Sequence, residues 1–264
     1  MPTLPIYLDH HATTPVDPRV VESMLPFFST SFGNASSKHH SFGWFARDAV
    51  AIARRQVAEL VGADPREIFF TSGATESNNL AVRGIVTADT DRVSHVVTIT
   101  TEHHAVLDPC RRLEQEGIEV TYVSPKKDGI CALLDIERAL APQTRLVSVM
   151  TANNEIGVLQ PIDRISELTR SRGILFHTDA AQAAGKVPID VKKLGVDLMS
   201  LTAHKMCGPK GVGALYIRRT RPRVEVSPII EGGGHEQGLR SGTLNVPGIV
   251  GFGTAAELSR LEMK

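Results

Sequence analysis

Residues 197–219 read DLMSLTAHKMCGPKGVGALYIRR, in which two short apolar runs enclose a polar turn. The runs, Asp197–Leu201 and Gly213–Arg218, have the length and composition of buried strands. His204 and Lys205 stand just after the first run. In a doubly wound sheet, ligands bind beyond the carboxyl ends of the strands. This stretch therefore predicts a sheet with functional side chains at its edge.

Short apolar runs that end in polar residues recur along the rest of the chain. Further strand-like runs are Glu67–Thr71, His95–Thr101, Glu119–Val123, Arg145–Met150 and Gly173–Thr178. Helical spacing of apolar residues is found in Gly43–Leu60, Ser77–Val86, Val106–Glu116, Leu134–Ala141, Ile162–Arg172 and Val246–Leu261. Continuous apolar strands are buried on both faces, and helices between them provide right-handed crossovers. The pattern predicts an α/β fold with a mostly parallel, mixed sheet sandwiched by helices.

Composition excludes several classes of protein. The 264 residues include 29 Lys and Arg against 29 Asp and Glu, so the formal charge is zero. Binding to nucleic acid or to a membrane surface needs a positive field, which argues against both. No apolar stretch reaches the roughly 20 residues of a membrane span, and the N-terminus lacks a signal-peptide pattern. Three cysteines without a CxxC pair exclude a disulfide scaffold and indicate a reducing, cytoplasmic location.

The turn after the run 67–71 is a candidate anion site. It reads Ser72-Gly73-Ala74-Thr75-Glu76, a glycine turn that opens a helix. Backbone N–H groups and the positive dipole end at such a turn bind phosphate, and Thr75 adds a hydroxyl. The alternative is a plain strand-to-helix turn capped by Ser72 or Thr75. Taken alone, a single glycine turn favours that alternative.

Polar side chains also follow the other predicted strands. They are His103 after His95–Thr101, Asn154 after Arg145–Met150, and Asp179 with Gln182 after Gly173–Thr178. A lone histidine at such a place is more often a structural hydrogen-bonding group. Paired histidines at 10–11, 39–40 and 103–104 raise the alternative of a metal site. No HExxH or comparable spacing supports it, so no metal site is predicted.

The set as a whole points to one cofactor. An isolated Asp179–Lys205 pair would be an ordinary salt bridge, since a buried aspartate and a buried lysine are each costly unless paired or functional. A Schiff-base amine, a carboxylate for a ring nitrogen and a phosphate cradle are together what pyridoxal phosphate requires. We therefore expect Lys205 at the aldehyde, Asp179 at the pyridine nitrogen and His103 stacked on the ring. Asn154 and Gln182 would donate to the phenolic oxygen.

Longer motifs carry a family resemblance. They are YLDHHATTPVDPRV (7–20), GNASSKHHSFG (33–43), FTSGATESNN (70–79), TTEHHAVL (100–107), NNEIGVLQPI (153–162), HTDAAQAAGKVPIDV (177–191), residues 197–219 as quoted above, and GGGHEQGLRSGTLN (232–245). On these stretches the chain resembles cysteine desulfurases of the NifS/IscS branch, within the class-V aminotransferase-like, fold-type I pyridoxal phosphate enzymes. The motifs run in the family's order and cover nearly the whole chain.

The resemblance implies a pyridoxal phosphate-binding large domain in a homodimer. Lys205, His103 and Asp179 would be its catalytic residues. Ala74, Thr75, Thr202 and His204 would hold the phosphate, with Thr243 reaching in from the other subunit. The family usually has serine at the position of Thr202, and a threonine hydroxyl keeps that donor. The implied reaction converts L-cysteine to L-alanine and an enzyme persulfide, whose sulfur passes to an iron–sulfur scaffold or another acceptor protein.

The resemblance also divides the chain. Residues 1–15 would form an N-terminal segment that packs with a small domain, and residues 16–264 would form the large domain. In the family, a C-terminal small domain carries a loop cysteine that attacks the substrate sulfur and an arginine that binds its carboxylate. This chain ends before both positions. We therefore expect a truncated desulfurase that binds the cofactor with little or no turnover.

None of the three cysteines is expected to replace the loop cysteine. Cys110 is predicted in mid-helix, Cys131 in a strand-like stretch, and Cys207 in a packing role beside Lys205. Two alternatives stay open. One is a non-catalytic module that binds the cofactor and dimerises with a full-length partner. The other is a related selenocysteine lyase or class-V aminotransferase, against which the NNEIG and GGGHEQGLRSGT motifs argue.

Overall fold

The computed structural model describes residues 5–88, 94–220 and 223–263. Within them, the strands are β1 Ile68–Thr71, β2 His95–Ile99, β3 Glu119–Val123, β4 Thr144–Ser148, β5 Leu175–Asp179, β6 Leu198–Thr202 and β7 Gly213–Ile217. They form one sheet in the order β1-β7-β6-β5-β4-β2-β3. Strand β7 runs antiparallel to β1 and β6, and the other pairs are parallel. The predicted mixed, mostly parallel sheet is confirmed.

The helices are α1 Pro18–Met24, α2 Pro26–Ser29, α3 Ser41–Val61, α4 Ala74–Thr87, α5 His104–Gln115, α6 Leu133–Ala139, α7 Ile162–Ser171, α8 Val191–Leu194 and α9 Val246–Glu262. Every helix predicted from apolar spacing is present, with ends shifted by at most a few residues. The sequence reading missed α1, α2 and α8. These helices have seven, four and four residues, too few to show a helical period.

Two apolar clusters cover the two faces of the sheet. On one face, α3 and α9 pack over strand residues that include Phe70 and Phe176. On the other, α4 and α5 pack over residues that include Phe69 and Leu198. Phe69 and Phe70 are neighbours that belong to opposite clusters, because successive side chains of a strand point to opposite faces. The prediction of a sheet sandwiched by helices is therefore confirmed.

The sheet register places the candidate residues at one edge. Asp179 at the end of β5 pairs with Ser200 of β6, and β6 runs directly into a 3₁₀ turn, Ala203–Lys205. The start of α4 lies close by, against β7. A Cβ on Gly213 would lie 2.7 Å from the Cα of Gly73, so β7 needs glycine at this point to let the α4 turn approach.

The N-terminal segment lies against this same edge. Both the N–H and the hydroxyl of Thr14 donate to the carbonyl of His204, at 3.0 and 2.8 Å, and the Thr14 hydroxyl accepts from the N–H of Cys207. The sequence did not predict this contact with the large domain. Packing of residues 1–15 against a small domain stays a prediction, and residues 1–4 of that segment lie outside the described residues, as do 89–93, 221–222 and 264 of the predicted large domain.

Across the described residues, no helix combines the length and the hydropathy that crossing a membrane would require.

Candidate cofactor site

A cavity of about 840 Å³ opens at the carboxyl edge of the sheet. Its volume lies in the usual range for small-molecule and cofactor sites. Nine of the ten predicted site residues line it: Ala74, Thr75, His103, Asn154, Asp179, Gln182, Thr202, His204 and Lys205. The tenth, Thr243, is exposed and lies outside this cavity. The structure thus brings together the residues that the sequence places at the ends of separate strands.

Asp179 is the buried anion of the cavity. Its side chain accepts from the amide Nδ2 of Asn78 at 2.7 Å and from the N–H of Ala181 at 2.8 Å. Burial raises the pKa of Asp179, while these two donors and the electrostatic influence of the nearby His103 and Lys205 act to lower it. A carboxylate at this place is poised to pair with a further cation, such as a protonated ring nitrogen.

Lys205 ends the 3₁₀ turn that follows β6 and reaches into the same cavity. Its Nζ donates to the carbonyl of His11. Burial lowers the pKa of the Lys205 amine, against the opposing charges of Asp179 and Asp9. Because only an unprotonated amine attacks a carbonyl carbon, this shift favours a lysine that bonds to an aldehyde.

The start of α4 is uncapped. Gly73 is the residue before the helix, and no side chain in the described part of the chain caps the first turn. The alternative of a turn capped by Ser72 or Thr75 is therefore wrong. The first N–H groups of a helix have no partner within it, so those of α4 are available to an anion in the cavity.

His103 is the residue before α5, and its Nδ1 accepts from the N–H of Ala105 at 3.0 Å. The structural role considered for His103, that of a hydrogen-bonding group, is thus observed, since its ring caps the start of α5. That bond assigns the ring proton to Nε2, and the ring also lines the cavity. His204 contacts the Thr13 hydroxyl through Nδ1, and burial followed by the nearby lysines, Lys205 first, lowers the pKa of its imidazole.

Asn154 and Gln182 line the cavity, and the amide nitrogen of each already makes one local hydrogen bond. The Nδ2 of Asn154 donates to Glu155 at 2.6 Å, and the Nε2 of Gln182 donates to the His11 carbonyl at 2.9 Å. Lys186 in turn donates to the Gln182 carbonyl oxygen. Contact of either amide with a ring hydroxyl stays a prediction, and the second hydrogen of each amide nitrogen is the donor that it would use.

The sequence reading missed the contribution of the N-terminal segment. Asp9, His11, Ala12 and Thr13 all line the cavity. They belong to the quoted motif YLDHHATTPVDPRV, which was the only signal, because a segment without helix or strand has no period to read. In this segment, the paired histidines at 10–11 had raised only the alternative of a metal site. Among the described residues, no group of three or more His, Cys, Asp or Glu side chains is arranged to hold a metal ion.

The cysteines differ from two of the expectations. Cys110 is buried in α5 as predicted, but Cys131 lies in irregular chain before α6 and not in a strand. The packing role expected of Cys207 is wrong for the single chain. Its side chain is exposed, and its backbone φ of 58° is in the left-handed region. The N–H of Cys207 donates to the hydroxyl of Thr14 and fixes the backbone of this turn, while the residue stays exposed.

The donor set fits pyridoxal phosphate. An amine of lowered pKa, a buried carboxylate with two N–H donors and an uncapped helix start share one cavity of suitable volume. These groups match the aldehyde, the ring nitrogen and the phosphate respectively.

Comparison with known proteins gives the class of the chain. Residues 6–264 match the model of the class-V aminotransferase family, and the chain belongs to that family. Its members are pyridoxal phosphate-dependent enzymes.

Within that family, the chain is similar to cysteine desulfurases. It is 56% identical over 262 residues to cysteine desulfurase IscS of Rickettsia massiliae (strain Mtu5), covering 99% of this chain and 64% of that protein. The solved structure of a NifS-like protein superposes with a TM-score of 0.93 at 42% identity, covering 97% of this chain and 70% of that one. The structure of SspA in complex with cysteine gives 0.90 at 44% identity, covering 95% and 72%. The chain thus spans just under two thirds of the length of its curated relative.

Proposed function

We propose that this chain is the cofactor-binding part of a cysteine desulfurase, which converts L-cysteine to L-alanine and an enzyme-bound persulfide. The observation that carries the proposal is the shared cavity of Lys205, Asp179 and the uncapped start of α4. The identity to an IscS desulfurase and the likeness to SspA, solved with cysteine, support this substrate over others.

The chain's own residues have separable tasks in that reaction. Lys205 would hold the cofactor aldehyde through Nζ and, once released, move a proton at the substrate α-carbon. Asp179 would keep the ring nitrogen protonated, while the N–H groups of Ala74 and Thr75, with Thr202 and His204, would hold the phosphate. His103 would lie against the ring. When bound, the cofactor supplies a ring that accepts negative charge from the substrate.

Sulfur transfer needs an accessible thiolate, and the chain's thiols are poorly placed for it. Cys110 and Cys131 are buried, and burial raises the pKa of these thiols to about 12 and about 11. Cys207 is exposed but does not line the cavity. We therefore expect these 264 residues alone to bind the cofactor with little turnover. The alternative of a non-catalytic, dimerising module also expects cofactor binding with little turnover.

The proposal includes a homodimer, a sulfur-acceptor protein such as an iron–sulfur scaffold, and a cytoplasmic location. The exposure of Thr243, away from the cavity of its own chain, is what a residue serving the neighbouring subunit requires. The sparse, unpaired cysteines support the location.

Mixing two inactive variants tests the shared site. Lys205→Ala and Thr243→Ala would each weaken or abolish the visible absorption of bound cofactor. A mixed dimer contains one site with both native residues only if Thr243 acts across the interface. Recovery of up to half the native cofactor absorption per dimer supports the shared site, and no recovery in chains shown to exchange contradicts it.

An assay of products tests the substrate. With an added thiol, which takes the sulfur as its persulfide, the chain with cofactor should slowly release alanine from cysteine. This release should be faster than transfer of an amino group from alanine to a keto acid. Selenocysteine lyases and aminotransferases would use the same cavity residues, so a strong preference for selenocysteine or a keto acid would overturn the desulfurase proposal.

A further inference from the structure

Glu102 is a buried carboxyl that the proposed reaction leaves unused. It lies in the turn between β2 and α5, directly before His103, and is 6% exposed. Its Oε1 accepts from the N–H of Met150 at 2.5 Å, at the carboxyl end of β4. Its other oxygen, Oε2, has no hydrogen-bond partner among the described residues.

The surroundings of Glu102 do not favour a charge there. A buried carboxylate is costly unless both oxygens are paired, and here one oxygen is not. The facing titratable groups supply no counter-charge. They are the carboxyl of Asp179 and the thiols of Cys110 and Cys131, each close enough for electrostatic interaction with Glu102. Burial, and then the charge of Asp179, raise the pKa of Glu102 well above its ordinary value.

The contacts of Glu102 join two parts of the candidate site. One is the turn that presents His103, and the other is the end of β4, where Met150 lines the cavity. The amide of Asn153 spans the same gap, donating to the carbonyl of Thr101 at 3.0 Å. Glu102 and Asn153 thus both link the His103 turn to the end of β4 and the loop that carries Asn154.

We infer that Glu102 is a positioning residue which, as an uncharged carboxylic acid, ties the His103 turn to β4 without adding a second negative charge beside Asp179. The inference deepens the proposed function, on which its catalytic meaning rests. A neutral neighbour allows Asp179 to be the ionised carboxyl that meets a cationic ring, since two buried carboxyls near each other do not both ionise readily.

Unfolding of the chain without cofactor tests the protonation state. If Glu102 is neutral in the folded chain, unfolding releases its proton above its ordinary pKa near 4.5. The unfolding constant then rises by up to about tenfold per pH unit until the native group itself ionises. Glu102→Gln removes this contribution, so its stability relative to the native chain should increase steadily as the pH rises above about 5, until Glu102 itself ionises in the folded native chain.

Glu67→Gln is the matched control. Glu67 is equally buried, and its two oxygens accept from the N–H groups of Asp64 and Arg219, both at 3.0 Å. An amide accepts through only one atom, so this variant should be less stable than the native chain at every pH. If Glu102→Gln is likewise less stable, with no gain as pH rises, Glu102 is ionised and the inference fails.

A second variant tests the positioning role. Glu102→Met keeps a side chain of similar length without an acceptor for the Met150 N–H. Hydrogen exchange of that amide should accelerate at least tenfold in Glu102→Met and stay near native in Glu102→Gln. Affinity for pyridoxal phosphate should fall at least tenfold in Glu102→Met alone.

Native amide exchange in Glu102→Met would overturn the positioning role. The unfolding and exchange measurements use no cofactor, so they decide the inference whether or not the chain binds pyridoxal phosphate. Failure of the proposed function would instead show in the native chain, as absence of cofactor binding.

Discussion

The amide of Asn78 donates to the carboxylate of Asp179 across 2.7 Å, joining α4 to the end of β5 beneath the cavity. Both side chains are buried, and the Oδ1 of Asn78 has no partner among the described residues. A hydrogen bond to a charged group is worth about 1.5–3 kcal/mol. Asn78 therefore stabilises the ionised form of Asp179 in a place where burial opposes it.

Asn78→Ala should raise the pKa of Asp179 further and weaken cofactor binding about tenfold or more. Absorption titration with pyridoxal phosphate measures this. The matched control is Asn79→Ala, because Asn79 is the next residue of α4 and donates to the carbonyl of Thr75 at a partly exposed place. Equal losses in the two variants would show that the Asn78–Asp179 bond has no special role.

Glu236 is the buried member of an ion pair with Arg54 of α3. Its oxygens accept from the Arg54 guanidinium at 2.6 and 2.7 Å and from the N–H of Phe70 at 2.7 Å. Glu236→Ala leaves the partly buried Arg54 guanidinium without its carboxylate and the N–H of Phe70 without this acceptor. The loss should cost about 1–3 kcal/mol in the free energy of unfolding.

The exposed pair of Arg19 and Glu262 provides the comparison. Glu262→Ala should leave the free energy of unfolding nearly unchanged, since solvent screens exposed pairs. Chemical denaturation of both variants gives the two values. A loss below 1 kcal/mol in Glu236→Ala would contradict the importance of the buried pair.

His177 should make the fold sensitive to acid. It is fully buried between the hydroxyls of Ser148 and Ser200, and burial lowers its pKa to about 3. The unfolded histidine takes up a proton near pH 6.5, whereas the folded one does not. Its contribution to stability is therefore complete above about pH 6.5 and declines by up to about 1.4 kcal/mol per pH unit as the pH falls towards 3.

His177→Gln removes the loss of stability that protonation of the unfolded histidine causes at low pH. A loss of packing in this variant would lower stability at every pH and would not change the slope. Unfolding midpoints between about pH 6.5 and about pH 4 should fall less steeply in this variant than in the native chain. The exposed His39→Gln is the control and should keep the native slope. Parallel slopes in all three chains would show that His177 is protonated in the fold.

The cysteines should react unequally in the folded chain. Iodoacetamide should modify Cys207, which is exposed, and leave Cys110 and Cys131 unmodified, because both are buried and burial raises the pKa of their thiols. Peptide masses after a short treatment measure this, with the denatured chain as the control in which all three react. Modification of Cys110 at the rate of Cys207 would contradict the packing of α5.

The sequence predicted the sheet and nine residues that line the cavity, because the end of each strand carries two signals. An apolar run ends, and a polar residue such as Asp179 or Asn154 follows it. Because the carboxyl ends of parallel strands meet at one edge of the sheet, these polar residues come together there. Helices α1 and α8 and the placement of Asp9 and His11 were not predictable in this way. Short helices and irregular segments have no period, and their position depends on hydrogen bonds such as that from Thr14 to His204.

The sequence did not predict a role for Glu102 or Asn78, for a different reason. In the sequence they are ordinary polar residues of a turn and a helix, inside the motifs TTEHHAVL and FTSGATESNN. Only the structure shows that both are buried and that each lacks one hydrogen-bond partner. Burial of a polar group is a tertiary property, so periodicity cannot reveal it.

In the proposed site, Lys205 and Asp179 hold opposite ends of one cofactor. Borohydride reduction of the chain with pyridoxal phosphate, followed by peptide mass analysis, shows which lysine is bonded to the aldehyde. One pyridoxyl group is expected on Lys205, with loss of that label in Lys205→Ala. Labelling of Lys210, which lines the same cavity, in place of Lys205, or no label above that of the denatured chain, would contradict this role of Lys205.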